Sequence, residues 1–268
     1  MKSMIARLRY DFRSAGAVML FLLVLMAAPY IYLSSTTRTI DAEKGVVTLS
    51  DIPERGVEVG GEWEFRPGLL MPDEFESASS ELIRVPSTWN GRLGSFGCAT
   101  YRLTMHLPVS QRPLSLKVNW IYSSYRLFVN GRNVATVGIP AAQKEGYSPR
   151  IRPIVVPLDS GAQTAVLVFQ VANWFNYEGG ITNRIEAGYS DTVNTRRERN
   201  FVSSWFFAGG IFIMALFHFI IFIWGNRERS YLQFGLFCLV ASLYSLILGE
   251  ASFASIFPVP YAAVFKLM

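Results

Sequence analysis

Residues 201–249 read FVSSWFFAGGIFIMALFHFIIFIWGNRERSYLQFGLFCLVASLYSLILG, and this stretch decides the architecture. Phe201–Trp224 carries no formal charge; its polar side chains are Ser203, Ser204 and His218. At about 1.5 Å rise per residue such a run is long enough for a hydrocarbon core of roughly 30 Å. Tyr231–Gly249 is also uncharged and just long enough. Between them stand six residues, Gly225-Asn226-Arg227-Glu228-Arg229-Ser230. So short and charged a turn predicts two antiparallel helices that cross the bilayer as a hairpin. A membrane hairpin after a large polar region points toward transport or signalling and away from soluble metabolism.

Composition agrees with a mixed chain. Aliphatic, aromatic and Cys residues make up 51% of the 268 residues, and the mean hydropathy is +0.27. Those values are high for a soluble protein and low for an all-helical membrane protein. The net charge of +5 does not argue for nucleic acid. Lys2, Arg7, Arg9 and Arg13 precede the first apolar run, and other basic residues flank the later spans, as the positive-inside tendency places them. Arg196, Arg197 and Arg199 are the exception, since they stand at the opposite end of the span that begins at Phe201. Charge that follows a long translocated domain has less say in orientation. The two cysteines, Cys98 in the polar region and Cys238 in a span, predict no disulfide and read as small buried residues. With only His106 and His218 there is no histidine-rich metal site, and no cofactor is expected.

Residues 1–14 form a basic cytoplasmic segment, and Ala15–Leu33 is the first apolar run. Two readings compete for it. Ala17–Ala28 has the length of a signal-peptide core, while the extension through Pro29-Tyr30-Ile31-Tyr32-Leu33 reaches spanning length. The lack of a convincing A-x-A cleavage site favours an uncleaved anchor. Either way, residues 41–195 leave the cytoplasm.

Those residues read as β-structure. Tyr101–Leu107 alternates, with Tyr101, Leu103, Met105 and Leu107 on one face and Arg102, Thr104 and His106 on the other. Leu114–Trp120 repeats the pattern against Ser115, Lys117 and Asn119, which predicts a half-buried strand. Tyr125–Val129 is followed by Asn130-Gly131, a two-residue turn into Arg132–Val137. Ala165–Val171 is apolar on both faces except for Gln170, as a central covered strand would be. Glu62–Arg66, Leu82–Val85 and Pro153–Leu158 are shorter candidates. About eight strands with turns between them, and no amphipathic helix, predict an all-β jelly-roll sandwich flanked by transmembrane α-helices.

Several strings carry a resemblance. Gly61-Glu62-Trp63-Glu64-Phe65, Val85-Pro86-Ser87-Thr88-Trp89, Ala99-Thr100-Tyr101-Arg102, Val129-Asn130-Gly131 and Val171-Ala172-Asn173 resemble a galactose-binding-like jelly roll. A similar series occurs in the sugar-binding domain of family 2 glycoside hydrolases. His218-Phe219-Ile220-Ile221-Phe222, Arg227-Glu228-Arg229-Ser230-Tyr231-Leu232, Leu243 through Glu250 and Phe257-Pro258 look like the start of one bacterial receptor family. These are the seven-transmembrane receptors with diverse intracellular signalling modules. The resemblance implies an exported jelly-roll domain, seven helices and a cytoplasmic output such as a histidine kinase or diguanylate cyclase. Only two complete helices, 201–224 and 231–249, are present; 250–268 reads as an extracytoplasmic loop and the start of a further helix. The chain is therefore expected to be a fragment or truncated reading frame, and no output activity is carried over.

No catalytic constellation emerges. Asp73, Glu74 and Glu76 cluster in a Pro-flanked polar stretch and read as a solvated loop. Leu93-Gly94-Ser95-Phe96-Gly97 misses the G-x-S-x-G elbow by its first glycine, and His106 is the one exported histidine that could serve a serine. A binding site is the better expectation, because sugars are held by aromatic faces and by amides or carboxylates. The candidates are Trp120, Tyr122, Tyr125, Asn173, Trp174, Tyr177 and Glu178, the last four on a loop after the central strand. For Trp63, Trp89, Trp120 and Tyr101, strand-like positions favour the core. His218, an ionisable residue inside a span, is a functional candidate, but the favoured reading is a neutral histidine that faces the bundle and bonds to a neighbouring helix. Trp205, Trp224, Tyr30, Tyr32 and Tyr231 read as an interfacial belt.

The expected protein is thus an inner-membrane, multi-pass sensor with a periplasmic ligand-binding domain. Its partners would be the lipid bilayer and a small-molecule or saccharide ligand, with a homodimer left open and no nucleic acid. The connector Asp191–Asn200 would pass the signal on. A membrane-anchored carbohydrate-active enzyme and a partner-binding structural protein are the alternatives.

Overall fold

The computed structural model describes residues 37–76, 79–150, 152–159, 161–225 and 227–248. The apolar run at 15–33 and the segment 250–268 lie outside the described residues. Eleven strands precede two long helices: β1 Arg38–Ala42, β2 Val46–Thr48, β3 Val57–Pro67, β4 Glu81–Val85, β5 Gly97–His106, β6 Leu114–Val118, β7 Ser124–Val129, β8 Arg132–Val137, β9 Ile154–Pro157, β10 Thr164–Asn173 and β11 Ile185–Tyr189. Two short helices interrupt them, α1 Pro72–Glu76 and α2 Asn90–Leu93. The long ones are α3 Ser190–Trp224 and α4 Arg229–Leu248.

The strands form an all-β sandwich in the order β8-β7-β10-β5-β3-β11-β6-β9, with β1 and β4 on β3 and β2 parallel to β5. Strand β3 belongs to both layers. Val57–Val59 pairs with β11, while Glu64–Pro67 pairs with β5. The change of layer falls at Gly60-Gly61, where Gly61 has φ +90° and the backbone of Asp41 and Ala42 presses against its α-carbon. A side chain there would strike β1.

Strand β10 lies between β5 and β7; Phe169 faces the core against Trp63 and Tyr125, while the Leu70-Met71 segment covers Gln170 on the other face. Its one interior polar side chain is satisfied: Gln170 Nε2 donates to the Leu70 carbonyl at 3.0 Å, and Oε1 accepts from Arg126 at 3.3 Å. Asn130 and Gly131 take φ 49° and 78° and join β7 to β8. The core between the layers is dense in aromatic rings: Trp63 sits 5.9 Å from Phe169, and Phe65 packs edge-on to Tyr101 at 5.0 Å.

Four expectations need correction. The polar face of β6 is not solvated: Ser115 and Lys117 are buried. The reason is that α3 starts against it, with Ser115 Oγ 2.7 Å from Ser190 Oγ. Asp73 and Glu74 lie in the first turn of α1 and not in a loop, and Glu74 Oε2 accepts the Met71 N–H at 2.8 Å as a cap. The stretch Asp191–Asn200 is no separate connector, because α3 is one helix of 35 residues, about 52 Å long, that contains it. His218 bonds within its own helix, Nδ1 lying 2.9 Å from the Met214 carbonyl. Its ring meets α4 only by packing, 4.5 Å from Phe234.

Among the described residues α3 is the helix long and apolar enough to cross a membrane, and only 11% of its apolar window is buried. The core helix of a soluble protein would be mostly covered. Helix α4 packs back against α3 at small residues. Ala208 and Ala215 of α3 are buried, as are Cys238 and Ser242 of α4. Ser242 Oγ donates to the Ala208 carbonyl at 2.8 Å. Gly235 admits the Phe219 ring.

Candidate functional site

The strand register sorts the loops into two ends. Strand β5 starts opposite the end of β10 and finishes opposite its start. The loops around Trp89–Phe96, Asn119–Ser123, Gly138–Pro153 and Trp174–Arg184 therefore gather at the end away from α3. The loops 107–113 and 158–163 gather at the end where α3 begins, since Tyr189 pairs with Leu114.

At the far end Asn173 is the fastening. It closes β10, is fully buried, and uses both sides of its amide. Nδ2 donates to the carbonyls of Ser95 at 2.8 Å, Asn176 at 2.9 Å and Glu178 at 3.2 Å. Oδ1 accepts from Ser123 Oγ at 2.9 Å and from the N–H groups of Asn176 at 3.0 Å and Phe175 at 3.4 Å. One side chain thus sets the geometry of three loops. Ser123 Oγ also bonds Tyr147 Oη, which brings in the fourth; burial pushes the Tyr147 phenol up.

The candidate residues divide on this frame. Tyr125 is a correction: it is 1% exposed and packs on Phe169 at 6.1 Å, so it belongs to the core beneath the loops. Asn173 builds the site without facing it. Trp120 is half-buried past the end of β6, and its carbonyl takes a bond from Asn183 Nδ2 at 2.8 Å. Trp174, half-buried, anchors its indole N–H on the Ala141 carbonyl at 3.0 Å and leaves part of its ring exposed. Tyr177 projects, 78% exposed, and Phe175 beside it is 41% exposed. Tyr122 pairs with Gly180 across an isolated bridge, two residues from Glu178, and burial, then the Glu178 charge, push the Tyr122 phenol up. Trp174, Phe175, Tyr177, Tyr122 and Glu178 are the groups of this end that could stack on and hydrogen-bond a small polar ligand.

Sequence reasoning missed Asn90. Its Nδ2 donates to the Tyr177 carbonyl at 2.6 Å, and its Oδ1 accepts the Gly179 N–H at 3.1 Å. It pins the Tyr177 loop from 87 residues away in sequence. The loop also needs Gly179, because the buried Trp89 indole lies flat against it and leaves no room for a Cβ.

The near end is built around Arg112. Its guanidinium meets Glu54 Oε1 at 2.6 Å and Asp191 Oδ2 and Oδ1 at 2.9 and 3.0 Å, and lies 3.9 Å over the Tyr189 ring. Asp191 opens α3 and accepts the Thr192 N–H at 2.8 Å. One turn on, Val193 is buried over Gly188, and Arg196 bonds both Glu186 and the Arg55 carbonyl. Helix and sandwich are thereby fastened at two heights. The hydrogen bond from Arg112 holds the Asp191 carboxyl below the usual carboxylate range. A group depressed in this way keeps its link at neutral pH and loses it as pH falls through the lowered value. Hydrogen exchange of residues 190–196 should therefore be flat from about pH 8 to about pH 5 after correction for intrinsic rates. A joint loosening near neutrality would contradict this.

A crevice beside Arg112, lined by Pro108–Leu114 and Asp159–Gln163, has a volume of about 70 Å³. Ligand sites occupy roughly 300–1,000 Å³, so it is too small for a sugar. Hydrolytic chemistry at Ser95 has no geometric basis. Ser95 precedes β5 and His106 ends it, so the strand's ten residues, about 33 Å, stand between them.

Several solved structures are similar over part of the chain. A Ruminococcus gnavus beta-glucuronidase matches with 13% identity and a TM-score of 0.38, covering 48% of this chain and 27% of that one. An Eisenbergiella tayi GH2 beta-galacturonidase matches with 15% identity and a TM-score of 0.33, covering 48% and 24%. A putative beta-galactosidase from Bacteroides fragilis matches with 20% identity and a TM-score of 0.35, covering 48% and 22%. The chain thus spans about a quarter of each. No curated protein sequence matches it. Residues 201–268 match the family model described as 7TM diverse intracellular signalling. That stretch begins with the apolar part of α3, so the likeness to the family lies in the helices and does not extend to the sandwich.

Proposed function

We propose that this chain is the sensing part of a receptor of the inner membrane. Its sandwich lies in the periplasm, and a small polar ligand, with saccharides as the first class to test, binds the loop end built on Asn173. The N-terminus and the Asn226–Ser230 turn lie in the cytoplasm. The observation that carries this reading is the continuity of α3. It begins inside the sandwich's own network of Arg112 and Arg196 bonds and runs unbroken into the apolar segment. A sandwich fixed to the head of a membrane helix can change that helix only by moving with it. A ligand must therefore favour one arrangement of the pair over another.

Two experiments test this. Gln143→Cys and Ser230→Cys, each with Cys98 and Cys238 changed to Ser, are treated with a membrane-impermeant maleimide in intact spheroplasts. Gln143 is exposed on the Gly138–Pro153 loop, so a cysteine there is open to the reagent. Labelling at 143 and protection at 230 is the expected result; labelling at 230 overturns the topology. For the ligand, the full chain in nanodiscs is screened by thermal shift against neutral and acidic saccharides. For any hit, Trp174→Ala and Tyr177→Ala should each weaken binding roughly tenfold or more, about 1.4 kcal/mol. Unchanged affinity in both would place the site elsewhere.

Arg112→Ala leaves the sandwich folded, because its ion pairs are exposed. Amide exchange at residues 190–196 should nevertheless rise several-fold, as Asp191 and Tyr189 lose their shared partner. Exchange equal to wild type would remove Arg112 from the joint.

A further inference from the structure

Three adjacent charges of α3, Arg197, Glu198 and Arg199, have no ion pair or hydrogen bond among the described residues, and of these only Arg199 falls on the stripe traced below. The neighbouring Arg196 is held by Glu186 and the Arg55 carbonyl. Arg199 is exposed, and no described residue offers it an ion pair or hydrogen bond. It stands two residues before Phe201, on the sandwich side of the membrane, where the positive-inside tendency does not ask for a cation.

Its angular position is informative. At 3.6 residues per turn, Arg199, Val202, Phe206, Ile213, Phe217, Ile220 and Trp224 fall within an arc of about 60°. The six apolar members are all exposed, Phe206 and Trp224 the most, at 77% and 81%. The arc lies on the opposite side of α3 from Ala208 and Ala215, which meet α4. From Val202 to Trp224 the stripe runs about 33 Å, close to the roughly 30 Å of a hydrocarbon core. About a third of the way along it, Gly209 and Gly210 flank the arc and leave open space, with no atom within 4 Å of a would-be Cβ. The stripe is therefore an exposed apolar ridge, indented beside Gly209 and Gly210, with a cation at its head, at the depth of lipid phosphates, and an aromatic ring at its foot.

We propose that this stripe is a binding site for an anionic phospholipid of the leaflet facing the sandwich. Arg199 bonds the headgroup phosphate, and one acyl chain lies along Val202, Phe206 and the Gly209-Gly210 notch. A guanidinium forms two parallel bonds to a phosphate and is weakly hydrated, which suits it to this depth. The proposal needs α3 to cross the membrane and is independent of what the loop end binds.

The test is native mass spectrometry of the full chain, released from nanodiscs of phosphatidylethanolamine with about one-fifth phosphatidylglycerol. Wild type should retain one phosphatidylglycerol more than Arg199→Gln, and Arg199→Lys should restore most of the difference. Arg199 has no bonding partner among the described residues, so the variants assemble as wild type does. Inorganic phosphate at millimolar concentration should not displace the lipid; displacement would mean that the arginine takes phosphate alone and would overturn the acyl part of the site. Equal lipid retention in wild type and Arg199→Gln would overturn the proposal outright. That is the outcome expected if another helix of a receptor bundle covers the stripe instead.

Discussion

Asn173→Ala is expected to lower the unfolding free energy of the sandwich by about 3–4 kcal/mol, the largest loss of any single amide in the described chain. Six hydrogen bonds end on this side chain, and the residue is fully buried. Removing it strands two N–H groups and three carbonyls in a space that water fills poorly. Each stranded group costs about 1–3 kcal/mol, and the sum is capped because loosened loops rehydrate part of them. Asn183→Ala is the comparison, since it loses a single bond to the Trp120 carbonyl and should cost about 1 kcal/mol. Chemical denaturation followed by tryptophan fluorescence measures both. Equal losses would show that Asn173 is not the fastening of the loop end. The functional corollary is sharper than the stability: Asn173→Ala should abolish any ligand response without touching a ligand contact.

The second large effect is Gly61→Ala, expected to cost about 2–4 kcal/mol. Two penalties combine. Gly61 sits at φ +90°, where a Cβ is strained. The added Cβ would also run into the backbone of Ala42 and Asp41, which cannot give way as the end of a flexible side chain would. Gly68 separates the two. Its φ is +94°, but nothing lies within 4 Å of its would-be Cβ. Gly68→Ala should therefore show only the conformational part, about 1 kcal/mol. If the two substitutions cost the same, β3 does not change layers against β1 as described.

The sandwich was legible in the sequence wherever burial alternates. Tyr101–Leu107 announces β5 because its odd positions face the core, and Ala165–Val171 announces β10 because the core covers one face and the segment around Leu70 covers part of the other. Asn130-Gly131 is legible because so few residue pairs accept positive φ twice in succession. What stayed hidden depends on distant partners. Strand β6 looks half-solvated until α3 covers Ser115 and Lys117. The polar stretch Asp191–Asn200 carries no apolar periodicity. It is helical because Asp191 places a carboxylate in the first turn and because Val193 and Arg196 dock on β11 and its neighbours. Arg112 looks like an ordinary loop cation, since its partners lie 58 and 79 residues away. In the site itself, composition brought out Trp174, Tyr177, Tyr122 and Glu178, which the fold places on the loop end. Composition could not separate them from Tyr125, whose ring points the other way into the core, nor find Asn90, whose role appears only across 87 residues.

In the proposed receptor, coupling between the two ends would separate a sensor from a membrane-tethered binding domain. Both ends belong to one sandwich. Ligand at the Asn173 end need not reorganise the strands to be felt at Arg112; it needs only to bias how the sandwich is carried on α3.

The most direct measurement is hydrogen-exchange mass spectrometry of the full chain in nanodiscs, with and without a ligand found by the saccharide screen. The account predicts protection confined to residues 119–123 and 174–184, together with a change at 190–196 that Arg112→Ala abolishes. Protection elsewhere on the sandwich, with 174–184 unaffected, would contradict it.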